Sequence, residues 1–170
     1  MSFFRIYYNN IVSELLLNRF YYIDNSLNIP KLNKIILSFK YENPSEKQIM
    51  KSLLILEILS GCKAKIILRK KSNLKFKSSQ LLGCKVILRN LDTLKILSKI
   101  LFIKNSTKFK KKIKKNVLHL NIKSLHFMPE FENQYFLLNN LSNLNITLVF
   151  KNNSTASDSL LLDSLLKCNL

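Results

Sequence analysis

The sequence predicts an α+β fold: an antiparallel sheet of four or more strands, with helices packed on one face and a basic open face. Three observations carry this. Residues 32–40, 64–69, 84–89 and 145–151 alternate apolar and polar side chains with a period of two, the spacing of a half-covered strand. Between and around them lie segments whose apolar residues recur at helical spacing. Finally, residues 61–123 hold 19 of the 28 basic side chains and a single acid, Asp92, while the other 107 residues carry nine of each sign. A field so lopsided costs self-repulsion, and a polyanion relieves it.

The elements follow in order. Ile11, Leu15 and Leu16 are helically spaced over residues 10–20, with Asn10 as a cap. Ile29-Pro30 restarts the chain in an extended conformation. In 32–40, Ile35, Leu37 and Phe39 face one way, and Lys34, Ile36, Ser38 and Lys40 the other. Asn43-Pro44-Ser45-Glu46 reads as a helix start with Asn43 capping, Pro44 first and Glu46 reaching back. Ile49, Leu53, Leu56 and Leu59 then make the buried stripe, and Gly61 stops the helix. Two strands come next, turning Ala64, Ile66 and Leu68, then Cys84, Val86 and Leu88, inward.

Asn90 or Asp92 caps a further helix over 91–103, with Leu94, Leu97 and Leu101 inward and Lys95 and Lys99 outward. Residues 108–115 are lysine apart from Phe109 and Ile113, so 104–124 reads as a mobile arm or an extended hairpin of a single domain over 1–170, unpacked in either case. Residues 127–131 read as a loop. Strand 145–151 and a last helix over 157–167, led by Asp158, close the order α-β-α-β-β-α-arm-β-α. The open face then displays Lys34, Lys40, Lys63, Lys65, Arg69, Lys85, Arg89 and Lys151, with Ile36, Ile67, Ile87 and Val149 between them.

Composition narrows the function classes. A hydrophobic content of 47% argues for a packed core and against a wholly disordered basic tail. No apolar run reaches the ~18 residues that a bilayer requires, and Glu57 interrupts the longest, so no membrane partner is expected. The N-terminal stretch lacks the pattern of a secretory or transit peptide. Cys62, Cys84 and Cys168 are too few and too widely spaced for a disulfide framework or a zinc site, and read as thiols in a reducing compartment. Leu, Ile, Lys and Asn supply 95 of 170 residues, Lys outnumbers Arg 24 to 4, and Gly and Ala occur twice each. That skew has no folding benefit but tracks A/T-rich codons, which points to a gene inside an organelle.

Catalysis has little to stand on. With two glycines there is no phosphate-binding loop, and no Ser or Cys sits in a nucleophile context. His126 lies near Glu130 and Glu132, a cluster that reads as polar surface and not as a metal site. No enzyme activity, metal or cofactor is expected. Lys in place of Arg favours point-charge neutralisation of phosphates over bidentate reading of bases. Phe76, alone among Lys70, Lys71, Lys75 and Lys77, is placed either to stack on a base or to make a satellite core contact.

Several stretches resemble the universal large-subunit ribosomal protein five family, which binds 5S ribosomal RNA. They are Asn28-Ile29-Pro30-Lys31 with Lys34-Ile35; Leu59-Ser60-Gly61; Arg69-Lys70-Lys71-Ser72 with Phe76-Lys77 and Gln80; Gly83-Cys84-Lys85-Val86 with Leu88-Arg89; Pro129-Glu130; and Asn145-Ile146-Thr147. They run in family order over most of the chain, and the run from Gly83 to Arg89 is the most specific. The resemblance implies that the open face binds rRNA (5S rRNA or an organellar substitute) through Lys34, Ser38, Lys63, Lys65, Arg69, Lys85 and Arg89. It implies that the loop at 70–82 faces P-site tRNA through Lys70, Lys71, Lys75, Phe76, Lys77 and Gln80. It also implies a place in the central protuberance and a bridge to a small-subunit head protein. Joined to the codon skew, it sets the expected location in a mitochondrial ribosome ahead of a plastid one. Ser38, Cys62 and Ile87 stand where the family has Asn, Gln and Thr, which shifts the expectation from base contacts towards phosphate contacts. The alternative is a basic interaction module that docks an acidic protein.

Overall fold

A computed structural model describes residues 31–68, 81–89, 92, 93, 95–97, 99, 110–114, 117–123, 125, 126, 128–131 and 133–151. The helices expected at 10–20 and 157–167, and the restart at Ile29-Pro30, lie outside the described residues. The elements are β1 (Lys31–Lys40), α1 (Glu46–Ser60), β2 (Lys65–Leu68), β3 (Leu81–Arg89), β4 (Lys110–Lys114), β5 (Val117–Ile122), α2 (Tyr135–Leu138) and β6 (Leu144–Lys151). Among the described residues the six strands form one sheet in the order β2-β3-β1-β6-β5-β4, every neighbouring pair antiparallel.

Strand alternation builds the core in three rows across the four inner strands. Leu88, Ile35, Leu148 and Leu118 are cross-strand neighbours, as are Val86, Leu37, Ile146 and Leu120, and then Cys84, Phe39, Leu144 and Ile122. All twelve are buried. Each large side chain among them contributes about 1.5–3 kcal/mol of transfer free energy. The same cluster contains Ile55, Leu56 and Leu59 of α1, Ile96 and Leu97, and Leu125, Met128, Phe131 and Leu138. Among the described residues, these non-sheet side chains thus share one cluster with the three apolar rows of the sheet.

Helix α1 starts later than expected. Its N-cap is Ser45, whose Oγ accepts from the Gln48 amide at 3.3 Å, while Gln48 Oε1 accepts from the Ser45 amide at 3.0 Å. Two capping boxes overlap in this sequence, Asn43/Glu46 and Ser45/Gln48, and the second forms. The buried stripe is Ile49, Ser52, Ile55, Leu56 and Leu59, with Leu53 only half-covered. Ser52 is tolerated in the core because its hydroxyl donates to the Ile49 carbonyl at 2.8 Å and accepts from the Cys84 thiol at 3.0 Å. Burial pushes the Cys84 thiol pKa up, with smaller opposing effects from Ser52 and the Phe39 backbone. Gly61 ends the helix in the left-handed region at φ 66°, its amide bonded to the Glu57 carbonyl.

Further expectations hold only in part. Ile66 and Leu68 remain 48% and 54% exposed, because β2 is a short edge strand with a register shift after Ile67. The 104–124 segment contains the β4–β5 hairpin, one of its two expected forms, but it is not unpacked: Leu118, Leu120 and Ile122 of β5 are core residues. Around 91–103, residues 92, 93, 95–97 and 99 are helical, with Thr93, Ile96 and Leu97 buried; Leu94 and Leu101 lie outside the described residues. Lys99 is not simply outward, since its ammonium pairs with Glu130 and reaches the Leu59 carbonyl at 3.4 Å. The stretch expected to be a loop contains a 3-10 turn over Pro129–Phe131, with Met128 and Phe131 buried.

Gly83 has a steric reason. A Cβ there would lie 2.1 Å from the Phe39 carbonyl oxygen, so only glycine lets β3 approach β1 this closely.

Candidate nucleic-acid interface

The side chains between the core rows make up the opposite face, and strand register fixes who stands beside whom. One line across the sheet reads Lys65, Lys85, Ser38, Asn145, Asn121 and the Lys110 position. The next reads Ile87, Ile36, Thr147, His119 and the Lys112 position, and the third Arg89, Lys34, Val149, Val117 and the Lys114 position. No position in these lines is acidic. Of their residues on β1, β2, β3, β5 and β6, Ser38 alone is buried, at 7% exposure, sunk between the longer Lys85 and Asn145.

Within these three lines two pairs of cations sit directly opposite each other, Lys65 with Lys85 and Lys34 with Arg89, and beyond them Lys31 is register partner to Lys151. Like charges across an antiparallel ladder destabilise it by roughly 0.2–1 kcal/mol per pair. The ion pairs Lys95–Asp92 and Lys99–Glu130 both lie outside these lines. The open-side positions of these strands thus carry cations and no acid.

Of the residues singled out from the sequence, the fold gathers Lys34, Ser38, Lys65, Lys85 and Arg89 on this one face. Lys63 is exposed in the link between α1 and β2 and has no strand partner that would fix it there. Arg69, Lys70, Lys71, Lys75, Phe76, Lys77 and Gln80 lie outside the described residues. Lys40 and Lys151 extend the face at its ends, both exposed.

The sequence reading missed the middle of the face. Asn121 donates through Nδ2 to Asn145 Oδ1 at 3.1 Å, and His119 Nδ1 lies 3.1 Å from Thr147 Oγ1. The signal was present, because Val117, His119 and Asn121 alternate with Leu118, Leu120 and Ile122. The adjoining lysine run hid this period of two. His126 is exposed, Glu130 is engaged with Lys99, and no cluster of three metal-ligating side chains occurs among the described residues. Nor is any described helix long and apolar enough to cross a membrane.

No family model matches the chain. It is, however, similar to the large ribosomal subunit protein uL5m of Reclinomonas americana, at 30% identity over 160 residues, covering 88% of this chain and 87% of that protein. The chain belongs to the uL5 family. It is of the organellar type, and the family is one of ribosomal structural proteins and not of enzymes. Within this uL5 chain the three departing positions fall in different environments. Ser38 is buried in the open face, Ile87 is exposed on it, and Cys62 packs at the edge of the core cluster.

Proposed function

We propose that this uL5 protein is a structural constituent of the mitochondrial large ribosomal subunit, where its open sheet face seats on rRNA of the central protuberance. The RNA is 5S rRNA or the segment that replaces it, with residues 70–82 directed at P-site tRNA and neighbouring ribosomal proteins around it, a small-subunit head protein among them. The observation that carries this reading is the acid-free face on which Lys65 meets Lys85 and Lys34 meets Arg89. Lysine and arginine held on a rigid sheet neutralise phosphates without base selection. If six to ten phosphates are contacted, affinity falls by about 10³–10⁵ between roughly 50 and 200 mM salt. The test is the slope of log affinity against log salt for an rRNA fragment from the same ribosome. Replacing Lys65 and Lys85 by Gln lowers that slope by about 0.7–0.9 for each phosphate that is no longer neutralised. A flat dependence, or a protein that stays on the subunit after RNase treatment, favours docking to an acidic protein and sinks the proposal.

A further inference from the structure

We infer that the Asn121–Asn145 pair, with His119 and Thr147 beside it, takes the edge of an unpaired RNA base. The inference rests on the proposed RNA-binding role of the open face and assigns base selection within it to β5 and β6.

Three observations converge. The block is neutral and hydrogen-bonding, and the same line turns cationic beyond it: Lys85 and Lys65 past Ser38 on one flank, and the Lys110 position on the other. Strands lie about 4.8 Å apart, so Lys85 and the Lys110 position are separated by roughly 19 Å of sheet. That is room for a backbone at the flank and its bases over the middle. Second, the amide–amide bond of 3.1 Å uses one donor of Asn121 and one acceptor site of Asn145. Each amide offers two donors and an acceptor with two lone pairs, so the joined pair still presents both a donor and an acceptor, whichever way the amides are turned. Neighbouring donor and acceptor groups are what a base edge requires, and a phosphate requires donors alone. Third, the His119 ring is exposed one line away, with Nδ1 against Thr147 Oγ1. A ring held by a second contact is a surface on which an unstacked base can lie.

The block also accounts for where selectivity resides in this chain. Ser38 is too short and too buried to reach a base, and Ile87 offers no hydrogen bond. Base-edge chemistry on this face is therefore concentrated on β5 and β6.

The test uses the full chain with short single-stranded RNAs of A, C and U as separate probes, across a salt series. The wild-type protein is expected to prefer one base over the others by roughly five- to hundred-fold. Asn121→Thr and Asn145→Thr suit a strand position, and are expected to abolish that preference while leaving the salt slope unchanged. His119→Ala is expected to weaken all three RNAs together, without altering their ranking. Retained base preference in both Asn variants, with unchanged thermal melting, overturns the inference and leaves the phosphate role of the lysines standing. Absence of salt-dependent RNA binding by the wild-type chain removes both.

Discussion

The two faces of this sheet are made by the same strands, one residue apart, and they are specified by different physics. On the covered face three rows of four apolar side chains meet α1 and the segments after it, and volume decides which residues fit. On the open face volume hardly matters. Position, charge and hydrogen-bonding capacity do, and the repulsion of Lys65 with Lys85 and Lys34 with Arg89 is tolerated there. Stability resides on one side and the proposed function on the other, so neighbouring residues of one strand should respond oppositely to substitution.

Ile146 and Thr147 put that contrast to its hardest test. Ile146→Ala, at a position with 0% exposure, is expected to cost about 2–5 kcal/mol in denaturant unfolding. Thr147→Ala, next in the chain, should cost only about 1 kcal/mol. Comparable losses would mean that the open face is also a packing surface. Gly83→Ala should cost about 1–3 kcal/mol, although glycine lies on the open side, because the clash is with the Phe39 backbone. Replacing the cap, Ser45→Ala, should lower stability by about 1 kcal/mol, with unchanged RNA affinity.

The pH response isolates one core group. The folded state raises the Cys84 thiol pKa, so above about 9 the unfolded chain ionises first and stability declines with rising pH. Cys84→Ala should remove that part of the alkaline decline, as measured by chemical denaturation across the range. The smallest expected effect concerns the cation pairs. Adding salt should stabilise the RNA-free protein by a few tenths of a kcal/mol, by screening Lys65 from Lys85 and Lys34 from Arg89. Lys85→Gln should reduce that gain.

Much of this arrangement was legible in the sequence because alternation is a strong local signal. The strand around Ile35, Leu37 and Phe39, that around Cys84, Val86 and Leu88, and that around Ile146 and Leu148 all read correctly. What failed to read depended on competition or on context. Ser45 and Asn43 were both competent caps, and no single-residue rule chooses between them. Ile66 and Leu68 look inward by period, yet edge position decides their burial, and edges are set by strands far away in the chain. The β5 pattern was outweighed by lysines whose charge says nothing about pairing. With it went Asn121 and His119, which gain their significance only when register sets them beside Asn145 and Thr147.

The position of β6 has a consequence for how the molecule is made. β1 is flanked by β3 and β6, and the Ile35–Leu148 contact joins residues roughly 110 apart in the chain, a separation that slows folding. During vectorial synthesis the β1–β3 ladder can close early. Until β6 leaves the exit tunnel, β1 keeps a bare edge and half of the apolar layer stays wet. Acquisition of the native state is therefore a late event, and a nascent chain halted before residue 144 should be the species that needs a chaperone or clumps with its neighbours.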